Sequence, residues 1–240
     1  MDFELSEEHR MLKKMVKDFA DKEIAPIAAE IDKSGEFPRD CMRKMSELGL
    51  VGLVLPPAFG ETGPDRLGFF VALEEISAAS ASVALALLCS RGPPCQILTL
   101  GNEEQKTKYL PAMAKGERLG ACAITEPSGG ANWPFALQTT ARLEDDTYVL
   151  NGAKCFISNA GEAEIYLVMA RTDPQRGPTG ISGLIVEKGT PGFSFGKKEE
   201  KLGLRGDVSR PQARRTGQYN KVSGLRPGDI EEKICPGRDK

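Results

Sequence analysis

The segment Cys122–Asn132 (CAITEPSGGAN) carries the residue types best suited to holding a ligand. A Thr-Glu-Pro turn leads into four small residues, Ser128, Gly129, Gly130 and Ala131. Small residues let backbone amides approach a ligand closely, and successive N–H groups can form an anion-binding nest. Thr125 adds a hydroxyl for a ring atom of such a ligand. By composition alone, an ordinary glycine-rich surface loop fits these residues as well. A second stretch, Asn151–Ala160 (NGAKCFISNA), sets an Asn-Gly turn just before a strand that ends Phe156-Ile157-Ser158. An aromatic ring followed by a small hydroxyl can cover one ring face and place a donor beside it. Taken alone, this is also a buried strand with a polar exit.

Other chemistries fit poorly. His9 is the single histidine, in the first turn of a charged helix. A Ser-His-Asp or Cys-His hydrolase has no spare imidazole, and a His-based zinc site fails for the same reason. The six cysteines (41, 89, 95, 122, 155 and 235) show no C-x-x-C spacing and read as buried reduced thiols. Glu126 belongs to the first segment, and Glu162 and Glu164 read as a solvated edge, so none is assigned as a catalytic base.

The elements that must position these residues fall into two blocks. The first half is helical. Leu12, Met15, Val16, Phe19, Ala20 and Ile24 recur at 3-4 spacing, with Ser6 as N-cap. Pro26 begins a further helical piece. A second helix starts at Pro38 and ends at Gly49. After the loop Leu55–Pro64, one long helical run covers Leu67–Leu88 and breaks near Gly92-Pro93-Pro94. A short helix spans Glu103–Tyr109, and Pro111–Gly116 closes the block. Past Gly116 the pattern changes to short runs rich in Thr, Val, Ile, Phe and Tyr. They are Ala121–Thr125, Leu137–Leu143, Tyr148–Leu150, Cys155–Ser158, Ile165–Ala170, Ile181–Val186 and Phe193–Phe195. Asn151-Gly152 is a hairpin signal among them. This predicts an α+β chain: an all-helical domain over residues 1–117, then a β-barrel or sandwich over 118–206. Residues 207–240 are charged, without an apolar period, and read as disordered.

The net charge of −2 argues against nucleic-acid binding. No apolar run reaches a membrane-spanning length, and Ala78–Leu88 reads as a buried helix. The start MDFELSEEHR has neither a basic, apolar leader nor an Arg-rich transit pattern, which predicts a cytoplasmic chain.

Taken together and in this order, the two segments resemble the acyl-CoA dehydrogenase family. So do the opening LSEEHRMLKKMVKDFADKEIAPIA, ALEEIS (72–77), GNEEQKTKYLPAMAKGE (101–117) and KKEEKLGLRG (197–206). The resemblance covers about residues 1–206. It implies FAD held between a β domain and helical domains. It also implies oxidation of a fatty-acyl or branched-acyl thioester to the 2,3-enoyl form, as in fatty-acid or amino-acid catabolism. A carboxylate takes the α-proton and flavin N5 takes the β-hydride, with electrons passing to an electron-transfer flavoprotein. Family members of this kind are homotetramers.

By position, the resemblance assigns Cys122, Ala123, Ile124, Thr125, Glu126, Pro127, Gly130, Ala131, Phe156, Ile157 and Ser158 to FAD, with Ser158 near N5. Ala131 also lies toward the substrate thioester. The family loop continues Gly-Ser-Asp where this chain has Gly130-Ala131-Asn132, so the serine hydroxyl is lost, and WPFALQTTA is one residue longer. The family's third, helical domain, with its catalytic glutamate, has no counterpart here. The loss of pattern near Gly206 is expected of a truncated or frame-shifted product, weakly active or inactive on its own. An acyl-CoA oxidase, a flavin monooxygenase of similar fold, and a non-catalytic binding fragment remain alternative readings.

Overall fold

The computed structural model describes residues 4–59, 64–145, 147–213 and 218–220. The helical block opens with α1 (Glu7–Phe19). Ser6 caps it, its hydroxyl accepting from His9 N at 3.2 Å, and Glu7 and Glu8 suit the positive end of the helix. A π-helical turn (Ala20–Ile24) and a 3-10 turn (Ala25–Ile27) carry the chain past Pro26 into α2 (Ala28–Ser34). The next helix, α3 (Arg39–Glu47), starts one residue after Pro38, and the chain turns out through Gly49 at φ +73°.

The long run expected over 67–88 is two helices, α4 (Arg66–Ala79) and α5 (Ala81–Ser90). Ser80 adopts extended backbone between them and caps the second. An Ala/Ser-rich stretch gives no periodicity signal for such a break. The following α6 (Gly92–Leu100) takes both prolines in its first turn, where no N–H partner is lost. The capping box of Asn102 and Gln105 starts α7 (Glu103–Ala114), which runs through Pro111 past its expected end. Ala81–Leu100 is, by length and composition, long and apolar enough to cross a membrane, against the sequence expectation. It is divided into α5 and α6 at Arg91, and Val83, Ala84, Ala86, Leu87 and Ile97 are buried in the core, so it reads as core helix.

The β block forms two sheets among the described residues. The larger joins β1 (Gly120–Ala123), β2 (Thr140–Glu144), β3 (Thr147–Asn151), β5 (Ile165–Arg171), β6 (Ile181–Glu187) and β9 (Gln218–Asn220). Its centre, β5, pairs parallel with β1 and β2 and antiparallel with β6. The smaller joins β4 (Lys154–Ser158), β7 (Ser194–Phe195) and β8 (Ser209–Ala213), with β8 central. One apolar cluster runs from Val16 and Ile24 through Leu87 and Leu110 to Ile157, Tyr166 and Val186, so both blocks share a core.

Two expectations are corrected. Asn151-Gly152 makes no hairpin: β3 pairs with β2, β4 pairs with β8, and the dipeptide carries the chain from one sheet to the other. Gly152 is needed there for close approach, since a Cβ would meet Thr139 Oγ1 at 2.2 Å. The second correction concerns the segment after Gly206. Residues 209–213 form β8, and residues 218–220 pair with β3 as β9. Open backbone groups on a strand edge accept any extended chain, whatever its apolar pattern. Asp207 and Val208 are buried as well, and residues 214–217 and 221–240, with Cys235, lie outside the described residues.

Candidate functional site: the crossing of two segments

The segment after β1 and the strand β4 lie side by side. Cys155 N donates to Thr125 O at 2.9 Å. Lys154 Nζ donates to Ile124 O at 3.1 Å and to Glu126 Oε1 at 2.8 Å. Both members of this ion pair are buried, at 3% and 4% side-chain exposure. Glu126 also accepts from Gln138 N (2.6 Å) and Thr139 N (2.9 Å). Burial pushes the Glu126 carboxyl up, but Lys154 and the donors from Thr139 and Gln138 outweigh it and hold it below the usual carboxylate range.

The loop beyond Glu126 is a tight turn, with Gly129 N bonded to Glu126 O at 3.1 Å. A Cβ on Gly129 would meet Ala136 Cβ at 2.5 Å, whereas one on Gly130 would meet nothing within 4 Å. Gly129 therefore serves packing and Gly130 faces open space. Ser128 Oγ is spent inside the loop, donating to Ala136 O at 2.8 Å. A recess of about 370 Å³ lies along Glu126–Ser128, Gln138–Thr140 and Asn151–Ala153.

On the strand side, Phe156 has φ +55° and is 64% exposed, while Cys155 and Ile157 on either side are buried. The β4–β8 register shifts between Lys154 and Ile157. The aromatic stands outward between two buried neighbours, as strand alternation gives, and the residue that departs from the alternation is the buried Lys154 at the start of the register shift. A bulky side chain in the left-handed region is uncommon, and such strain collects at working sites. Ser158 is half-buried, and its hydroxyl donates to Asp207 Oδ2 at 3.0 Å.

The residues singled out in the sequence divide by burial. Thr125, Pro127, Gly130, Ala131, Phe156 and Ser158 are exposed or half-buried around the crossing, as are Cys122 and Ile124. Ala123, Glu126 and Ile157 have buried side chains. Burial pushes the Cys122 thiol up to about 12, which keeps it an inert thiol. Glu162 pairs with Arg39 at 2.6 Å, and Glu164 accepts from Leu119 N at 2.8 Å, so these acids brace the fold.

Sequence reasoning passed over Lys154, Asn159 and Asp207. A lysine in an apolar strand signals a buried partner, and that signal was available in AKCFIS. Asn159, fully buried at φ +62°, donates to Ala86 O, Ser90 Oγ and Gly120 O, tying the helices to β1. Asp207 is buried by contacts that no local pattern reveals.

Comparison with known proteins decides the lineage. Residues 6–117 match the acyl-CoA dehydrogenase N-terminal domain, and residues 121–213 match the acyl-CoA dehydrogenase middle domain. The chain belongs to the acyl-CoA dehydrogenase family. It is 47% identical over 203 residues to an acyl-CoA dehydrogenase of Bacillus subtilis (strain 168), covering 84% of this chain and 53% of that one. A glutaryl-coenzyme A dehydrogenase solved with glutaryl-CoA superposes with a TM-score of 0.91 at 35% identity, over 98% of this chain and 60% of that one. A glutaryl-CoA dehydrogenase from Mycobacterium smegmatis, solved with FADH2, gives 0.84 at 28% identity, over 92% and 55%. The chain spans about half the length of the curated relatives it matches. The match to the middle domain runs past Gly206 to residue 213, in line with the presence of β8.

Proposed function

We propose that the crossing of the loop after β1 with β4 is the flavin-holding site of an FAD-dependent acyl-CoA dehydrogenase. The observation that carries this is the backbone bond from Cys155 to Thr125, which joins the two segments the family resemblance assigns to FAD. The exposed residues there suit a planar, hydrogen-bonding ligand. Phe156 offers an outward aromatic face, Thr125 a hydroxyl, Ser158 a hydroxyl oxygen whose proton is already given to Asp207, and Gly130 leaves room for close backbone approach. When bound, the flavin supplies the hydride acceptor for α,β-dehydrogenation of an acyl-CoA thioester.

This chain's residues then bind and orient. Thr125 and Ser158 fix the ring edge, Phe156 shields a face from water, and the Pro127–Ala131 turn sits toward the thioester end. Glu126 is not the base, since its carboxylate is sealed by Lys154 and two backbone donors. Electron-transfer flavoprotein is the acceptor, and a homotetramer the assembly, that the family reading implies. The test is to titrate the full chain with FAD, then add butyryl-CoA without oxygen. Saturable quenching of flavin fluorescence supports the flavin site. Bleaching of the visible band by butyryl-CoA supports dehydrogenation. Free FAD fluorescence at every chain concentration contradicts the proposal.

A further inference from the structure

We propose that Lys154 is the positioning residue of the flavin loop: its buried ammonium clamps Glu126 and, through it, sets where Thr125 stands. The inference rests on the flavin reading above. The two acceptors of Lys154, Ile124 O and Glu126 Oε1, flank Thr125 in the chain. The next residue, Cys155, bonds Thr125 O itself. Three consecutive loop residues are thus tied to two consecutive strand residues. Glu126 extends the tie to Gln138 and Thr139, the two residues just before β2.

The strand's bulge belongs to the same device. In a regular strand, residues two apart share a face. Lys154 and Phe156 do not: one is buried under the loop and the other is turned outward at φ +55°. The irregularity lets one short strand hold the loop from behind and present an aromatic in front. A buried ion pair is a poor source of stability, since an apolar pair of equal volume often does as well or better. Its location where the two ligand-facing segments cross points to geometry as its role.

The test compares Lys154→Met, Lys154→Arg and Glu126→Gln with the unmodified full chain. Two readouts are used: FAD affinity with the visible spectrum of the bound flavin, and amide exchange at Gln138, Thr139 and Cys155. Lys154→Met is expected to weaken FAD binding about tenfold or more, blur the flavin's vibronic shoulder and speed exchange at all three amides. Lys154→Arg, which keeps the charge, is expected to recover most of the affinity. Glu126→Gln keeps the volume and one acceptor oxygen, so it carries the test if Lys154→Met does not fold. Affinity and spectrum unchanged while exchange rises would overturn the positioning role. Unchanged exchange would overturn the clamp. Failure of the unmodified chain to bind FAD would instead sink the flavin reading, with the exchange arm still deciding the clamp.

Discussion

Two buried carboxylates stand on either side of the site, and they are held differently. Glu126 is closed in: Lys154 and the amides of Gln138 and Thr139 occupy both of its oxygens. Asp207 concentrates its partners on one oxygen. Oδ2 receives Ser158 (3.0 Å), Lys201 (2.9 Å) and Ser209 (3.1 Å), while the equally buried Oδ1 has no hydrogen-bond partner among the described residues. Lys201 itself stays partly open to solvent, at 22% exposure. The Glu126 joint links consecutive segments of the β block. The Asp207 joint ends the Lys197–Gly206 stretch, which reaches back to the helices through the bond from Arg205 N to Asp32. The contrast separates a joint sealed on both sides, whose loss leaves a charge stranded, from one whose carboxylate is buried but whose cation, Lys201, keeps a route to water.

The largest effect that would sharpen this contrast is on stability. Lys154→Met strands the Glu126 carboxylate in the core and is expected to cost about 3–5 kcal/mol, read by urea unfolding. Asp207→Ala removes three donors' acceptor but also an unsatisfied oxygen, so about 1–3 kcal/mol is expected. Equal losses for the two variants would break the distinction. A third effect is smaller and opposite in sign. Phe156→Gly relieves a left-handed backbone, so stability by thermal melting is expected to hold or rise, by up to about 1 kcal/mol, while FAD affinity falls.

The acid limb of stability sharpens the comparison further. The folded Glu126 carboxyl titrates below its ordinary 4.5, so its contribution is present above that value. It is lost as pH falls through the folded value. Urea midpoints are expected to drop below about pH 4.5 in the unmodified chain, and the drop to be shallower in Glu126→Gln. The smallest effect tests the glycines. Gly130→Ala, with open space around the new Cβ, is expected to leave the melting temperature nearly unchanged. Gly129→Ala, pressed on Ala136, is expected to lower it by about 1–2 °C.

Much of this was legible in the sequence, for identifiable reasons. Ser6, Gly49 and the β-branched runs signal locally, and α1, the turn at Gly49 and β1–β7 stand within a few residues of where they were expected. What failed lacked a periodicity signal or depended on distant partners. Ser80 breaks a helix that composition alone continues. Asn151-Gly152 has hairpin chemistry, yet Thr139 presses on Gly152 and the chain crosses to another sheet. The strand at 209–213 exists because β4 offers an edge. At the site, the two segments were visible by type and order. Their joint was not, because it runs through Lys154, which lies just before the expected strand Cys155–Ser158, to Glu126, read as a loop residue that faces FAD.

The most direct test of the central claim is an FAD titration of the full chain beside its Phe156→Ala variant, followed by flavin fluorescence. Saturable one-to-one quenching by the unmodified chain and markedly weaker quenching by the variant are expected. Identical curves for the two, or no quenching by either, would contradict it.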